Sequence, residues 1–169
     1  MQNKGTLSVV MPNYNHSHYI QEALQAILSQ SFSPLEVIVI DDGSTDNSVQ
    51  IIERIAKKNP TVKFYRNVEN EGVWHSSNKG AKIATGEYIY FCAADDRVCP
   101  GFFEKSVKIL NQNPQAGLSS ALLKIIGKDG NDEMWAKTPV ISSTECFLSA
   151  DQVRKTLLKH GFWFTGHTV

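Results

Sequence analysis

The sequence predicts an α/β domain built on a mainly parallel sheet with helices on both faces. Three observations point there. Short apolar, β-branched runs alternate with stretches of helical periodicity from Leu7 to Leu110. The run Leu35-Glu36-Val37-Ile38-Val39-Ile40 is almost continuously apolar, as in a strand covered on both faces. Two such runs lead into paired acids, Asp41-Asp42 and Asp95-Asp96. Sheets of this kind bind ligands at the carboxyl ends of their strands, at a topological switch point.

Each element has its own warrant. Residues 7–11 are a short apolar strand stopped by Pro12. Ile20, Ala23, Leu24, Ile27 and Leu28 follow the spacing of an amphipathic helix, which residues 31–34 break. After the strand at 35–40, Gly43 turns the chain. Ser44 or Asp46 caps a helix that carries Val49, Ile52, Ile55 and Ala56 inward. Pro60 ends that unit, and residues 62–65 form a third strand. Glu71-Gly72 turns into a helix over 73–84, with Gly86 at its C′ position. Residues 87–93 are a fourth strand, and Pro100, in a first turn, opens a helix with Phe103, Val107 and Leu110 on one face. A more mixed region follows. It holds a strand at 118–126, a turn at 128–131, a helix at 151–160 with Asp151 as N-cap, and a strand at 162–169.

The 169 residues are expected to form a single domain, large enough to bury a core. The 17 basic and 17 acidic side chains balance, which excludes a nucleic-acid binder working through a broad basic field. No apolar run approaches the roughly 20 residues of a spanning helix, and the first strand begins too early for a secretory signal. Cys92, Cys99 and Cys146 are odd in number and lack metal-ligand spacing, which reads as reduced thiols of a cytosolic protein.

Three segments fall at strand ends. They are Ser8-Val9-Val10-Met11-Pro12-Asn13-Tyr14-Asn15, then Leu35 through Asp41-Asp42-Gly43-Ser44-Thr45-Asp46, then Asn78-Lys79-Gly80-Ala81 through Gly86-Glu87-Tyr88-Ile89 to Asp95-Asp96. In this order they resemble the family 2 glycosyltransferases, whose nucleotide-sugar domain has the Rossmann-like GT-A fold. The resemblance covers residues 7–105 closely and the rest loosely. It implies inverting transfer from a nucleotide-diphospho-sugar, first of all a UDP-sugar, to a glycan or lipid-linked acceptor in polysaccharide or glycoconjugate assembly. It also implies a bound Mg²⁺ or Mn²⁺ and a cytoplasmic protein, with a place beside the inner leaflet left open.

The resemblance assigns donor contacts to Pro12, Tyr14, Asp41, Asp42, Gly72, Asn78 and Asp95, and a metal to Asp95 and Asp96. The chemistry of these residue types agrees. Pro12 and Tyr14 offer a flat wall to a base, and Asp42, with Asp41 behind it, an acceptor for an imide N–H. Gly72 allows a tight turn. Asp96 is expected to touch the metal, and Asp95 the ribose or the metal's water shell. Hard carboxylate oxygens suit such a cation, which offsets charge building on the leaving diphosphate. Two departures stand out: Ala93 replaces the first acid of the usual Asp-X-Asp, and Ser77 stands where arginine is common. Metal binding is therefore expected to be weak without nucleotide.

Plainer readings compete. Asp41 and Asp42 also suit a turn and helix cap, and Asn78 suits satisfying nearby backbone. His16, His18 and His75 read as surface or capping residues, Trp74 as a packing or rim residue, and Phe102-Phe103 as core. His167 carries no assignment. An inverting transferase needs a base for the acceptor hydroxyl. No suitable carboxylate follows Asp151, so the base is expected beyond Val169 and the chain to be incomplete at its C-terminus. Donor binding with little transfer by this chain alone is the expectation. A non-catalytic nucleotide-sugar-binding module is the alternative. A dinucleotide-binding domain would need Gly-X-Gly-X-X-Gly where Pro12-Asn13-Tyr14-Asn15 stands.

Overall fold

A computed structural model describes residues 5–127, 133–135, 140–142 and 144–160. Strands β1 (Leu7–Asn13), β2 (Glu36–Asp41), β3 (Val62–Arg66) and β4 (Tyr88–Phe91) form one parallel sheet in the order β3-β2-β1-β4. Register sets Val10 beside both Ile38 and Phe91, and Asn13 beside Asp41. Helices α1 (Ile20–Leu28), α2 (Ser48–Lys58) and α3 (Val73–Ile83) connect these strands, and α4 (Phe102–Gln112) follows β4. Strand order reverses between β1 and β4, because the β3-to-β4 crossover runs opposite to the first two. Right-handed crossovers then place α3 on the face opposite α1 and α2.

Side-chain alternation fills both faces. Leu7, Val9, Met11, Val37, Val39 and Tyr90 join Ile20, Leu24 and Ile27 of α1 and Phe103, Val107 and Leu110 of α4 in one core. Val10, Ile38 and Ile40 are equally buried on the other face. There α3 lies so close that a β-carbon on Gly80 would collide with Cγ1 of Val10. Double coverage is why β2 is buried along its whole length.

Several expectations need correction. The strand at 87–93 is shorter, Tyr88–Phe91. Cys92 still donates its N–H to Val10 O at 3.0 Å, and the chain then turns, with Asp96 N on Ala93 O at 3.3 Å. Gly86 is not a left-handed helix stop; a β-carbon there would sit 2.6 Å from Ser8 N, so its role is close approach to β1. Pro100 precedes α4 rather than opening its first turn, and Gly101, left-handed at φ 78°, is the N-cap. The strand at 118–126 shrinks to β5 (Lys124–Ile126), antiparallel to β6 (Glu133–Trp135). Leu118 and Leu122 instead line a cavity of about 620 Å³ with Ile109, Phe147 and Leu157.

Neither Ser44 nor Asp46 is the N-cap of α2; that residue is Asn47, without a side-chain cap bond, and Asp46 just before it takes the Ser48 N–H at 2.9 Å. Helix α5 (Ala150–His160) is capped by Ser149, not Asp151. Ser149 N donates to Gln152 Oε1 at 2.8 Å and Gln152 N to Ser149 Oγ at 3.4 Å, a capping box. The turn at 128–131, the strand at 162–169 and His167 lie outside the described residues. No described helix is long and apolar enough to cross a membrane.

The amino-terminal edge of the sheet is tied by Glu36, which is 1% exposed. Oε1 accepts Ser8 Oγ, Thr85 N and Thr85 Oγ1, each at 2.7 Å, and Oε2 accepts Lys63 Nζ at 2.7 Å. Burial pushes the Glu36 pKa up, but the bonds from Lys63, Thr85 and Ser8 outweigh it and lower the value from 4.5 to about 2. A folded pKa below the unfolded one stabilises above pH 4.5, and the contribution is lost as pH falls toward 2. It is worth about 3 kcal/mol at neutral pH. Glu36→Gln is expected to cost roughly 2–3 kcal/mol at pH 7, with the gap to wild type closing below pH 4.5. Denaturant unfolding across this range is the check, and a gap that stays constant down to pH 2 refutes the assignment.

Candidate functional site

The carboxyl ends of β1 and β2 are joined by side chains. Asn13 Nδ2 donates to Asp41 Oδ1 at 2.8 Å and to Ser44 Oγ at 3.2 Å. Asp41 Oδ2 accepts Ser44 N at 3.0 Å and lies 3.6 Å from Arg66 Nε at the end of β3. Asp41 is wholly buried, so it joins three strand ends from inside. Asn15 is held in a left-handed conformation, φ 56°. Its Oδ1 accepts Thr45 N at 2.8 Å and Asp46 N at 3.3 Å, and its own N donates to Ser44 Oγ at 2.9 Å. Ser17 N donates to Asp46 Oδ2 at 2.9 Å. Burial raises the Asp46 pKa, but the Ser48 and Ser17 donors outweigh it and hold it at about 2.

Asp42 organises the next loop. Its Oδ1 accepts Asn67 Nδ2 at 2.7 Å, Ser76 Oγ at 3.0 Å and Glu71 N at 3.1 Å, and its Oδ2 accepts Gly72 N at 2.8 Å. Burial again pushes the pKa up, and the Asn67, Glu71, Ser76 and Gly72 donors more than reverse it. Lys79 Nζ, on Asn67 Oδ1 at 2.6 Å, forms a second layer. Gly72 adopts φ 91°, a conformation that favours glycine, and it enters α3 there. Among the described residues Oδ2 has a single donor, Gly72 N, and keeps acceptor capacity.

The third wall is the turn after β4. Asp95 is exposed, and its Oδ2 lies 3.9 Å from His16 Nε2 across the switch point. Tyr14 is exposed and Pro12 half-buried at the end of β1. Asn78 is exposed on α3 and its side chain makes no hydrogen bond to a described residue; Ser76 is the α3 residue whose side chain reaches Asp42. Trp74 is 81% exposed, a rim residue rather than a packing one. His75 pairs with Glu71 at 2.7 Å, and Phe103 is in the core as expected.

The structure thus unites Asp41, Asp42 and Gly72 in one network, with Tyr14 and Asp95 on exposed ground beside it. Sequence reasoning missed the connecting residues Asn13, Ser44, Asn67 and Ser76. A signal existed for Ser76: with Gly80 it forms a small-residue i, i+4 stripe on the inward face of α3. Among the described residues no group of three or more His, Cys, Asp or Glu could hold a metal. Asp95 and Asp96 offer hard oxygens that suit Mg²⁺ or Mn²⁺ as a partial ligand set, completed by phosphate and water.

The four-stranded parallel sheet with this order, flanked by helices on both faces, is the GT-A fold. Staphylococcus aureus TarS 1–349 in complex with UDP-GlcNAc superimposes with a TM-score of 0.61 and 29% identity, over 67% of this chain and 33% of that one. The mannosyltransferase PcManGT from Pyrobaculum calidifontis, in complex with GDP-Man and Mn²⁺, gives 0.62 and 26%, over 70% and 35%. An uncharacterized glycosyltransferase of Haemophilus influenzae is 37% identical over 111 residues, 66% of this chain and 44% of its own length. Residues 8–165 match the family model for glycosyl transferase family 2, and the chain belongs to that family. It spans less than half the length of the curated relatives it matches.

The Asp42 network has a direct test. In Asp42→Ala, the amides of Glu71 and Gly72 are expected to exchange with solvent at least about tenfold faster, the effect of losing a bond to a charged group. Amides within β1 should keep their protection. Unchanged exchange at Glu71 and Gly72, followed by NMR, would show that Asp42 does not hold the loop.

Proposed function

We propose that this site binds the nucleotide-diphospho-sugar donor of an inverting glycosyltransferase. The observation that carries the reading is Asp95-Asp96, set after β4 across the switch point from β1, beside the loops that Asp41 and Asp42 brace. Residues 1–169 are taken as one nucleotide-sugar-binding domain of a cytoplasmic protein. Tyr14 and Pro12 form the wall for the base, and Asp42 accepts its imide N–H through Oδ2. Gly72 supplies the turn under it, and Asn78 lies on the rim of α3. Asp95 would meet the ribose or the metal's hydration shell, and Asp96 would be the residue that holds the metal.

In an inverting transfer the acceptor oxygen attacks the anomeric carbon from the face opposite the diphosphate. The acceptor proton passes to a base, and the bond to the diphosphate breaks with its electron pair on the phosphate oxygen. A bound Mg²⁺ or Mn²⁺ would offset that charge. No described residue is assigned as the base. The acceptor is a glycan or a lipid-linked sugar. UDP is the first candidate nucleotide, and GDP the second because PcManGT is seen with GDP-Man. A non-catalytic nucleotide-sugar-binding module is the second reading, favoured by Ala93 at the position of an acid.

Calorimetric titration of UDP and GDP, with and without Mn²⁺, tests the donor site. Mn²⁺ is expected to tighten binding of one of them by about tenfold or more. Asp96→Ala should abolish that gain and leave metal-free binding near wild type. A Mn²⁺ effect that survives Asp96→Ala intact removes the metal assignment.

A further inference from the structure

We propose that His16 is a binding residue for the donor's diphosphate, donating an imidazole N–H to a phosphate oxygen from the wall opposite Asp96. The inference rests on the nucleotide-sugar reading above and adds a residue to it.

His16 is placed by its neighbours. On one side Asn15 is held at φ 56°, unusual for a non-glycine residue, by its bonds to Ser44, Thr45 and Asp46. On the other, Ser17 N is bonded to Asp46 Oδ2. Backbone held in such a region by surrounding structure is typical of functional sites. The His16 carbonyl accepts Tyr19 N and Ile20 N, both at 2.9 Å, where the chain enters α1. That contact uses main chain alone, so the entry to α1 does not explain the imidazole.

The ring has no hydrogen bond within the described structure. Nδ1 is buried without a partner, a cost that buried polar groups rarely carry without a reason. Nε2 points across the switch point to Asp95 Oδ2 at 3.9 Å, with the side chain 35% exposed. That separation is too long for a direct hydrogen bond, so Nε2 is not committed to Asp95. A diphosphate brings several negative charges to a crevice already bordered by Asp95 and Asp96. The neighbouring cations are committed elsewhere: Arg66 to Asp41 and Ser44 O, Lys79 to Asn67, and Arg97 to Glu22. His16 presents to this crevice a ring nitrogen that makes no hydrogen bond to a described residue. A neutral ring with its proton on Nε2 suffices, and no proton is transferred.

The experiment compares UDP with uridine, and GDP with guanosine, by calorimetry in the presence of Mn²⁺. His16→Ala is expected to weaken the diphosphate by about tenfold or more, the effect of one hydrogen bond to a charged group. The matching nucleoside should stay within about twofold. His16→Gln, which keeps an N–H donor, should recover part of the loss. Equal losses for nucleotide and nucleoside would mean that His16 only shapes the loop, and no loss would mean that it does not bind; either overturns the inference and leaves the donor reading standing. A wild-type chain that binds neither nucleotide overturns both. Independently of any variant, the His16 ring nitrogens of the ¹⁵N-labelled wild-type chain should shift with the diphosphate and not with its nucleoside.

Discussion

Asp42 is only 3% exposed, and its carboxylate collects four donors, from Asn67, Glu71, Gly72 and Ser76. A buried charge is tolerable only where the chain supplies such partners. Satisfying it therefore dictates geometry: the segment after β3 must fold back over the end of β2, and α3 must begin with Ser76 facing inward. Gly72 makes this possible, because its φ of 91° aims a backbone N–H at the acid where other residues would be strained. Asp41, one residue earlier on the alternate face, repeats the logic with Asn13 and Ser44 and locks the ends of β1 and β2 together.

Strand β2 starts and ends in a buried acid, Glu36 and Asp41, with apolar residues between. The two edges of the sheet are thus tied by different chemistry. At the amino-terminal edge Glu36 gathers β1, β3 and the entry to β4 into a closed cluster. At the carboxyl edge the networks stop at β1. The loop after β4 is tied to α1 and its exit, by Arg97 on Glu22 at 2.7 Å and by Gln30 Nε2 on Cys99 O at 3.0 Å, whereas Asp95 faces His16 across the switch point at 3.9 Å without a hydrogen bond. Strand order reverses at that same place, so the topology opens a gap where the polar network leaves one.

The sequence made much of this legible where hydrophobic periodicity was strong. The spacing of Ile20, Leu24 and Ile27, and the unbroken run before Asp41, identify α1 and β2 because burial enforces both patterns. It failed where tertiary approach decides. Gly86 resembles a helix stop but is small because Ser8 presses on it, a contact 78 residues away. Asp151 looks like an N-cap, yet Ser149 and Gln152 form the reciprocal pair. In the site, the acids announce themselves after apolar runs, whereas Asn13, Asn67 and Ser76 are ordinary polar residues. Their role is set by a buried acid that only the folded chain brings to them.

The same distinction divides scaffold from binding surface. Asp41, Asn13 and Ser44 are bonded to one another, and Asn67 and Ser76 to each other and to Asp42, with Asn13 Oδ1 left without a partner; changing them mainly alters the shape of the loops. The side chains of Tyr14, Trp74 and Asn78 are exposed and make no hydrogen bond to a described residue, and His16 and Asp95 face each other without one. A ligand gains most from groups that give up only water when they meet it, on a frame already ordered before it arrives. Asp42 would belong to both sets under the proposed donor reading, since three described donors fill one oxygen and one described backbone N–H leaves acceptor capacity at the other. A base bound at that second oxygen would feel the bracing of the whole loop, so recognition and loop order share one carboxylate.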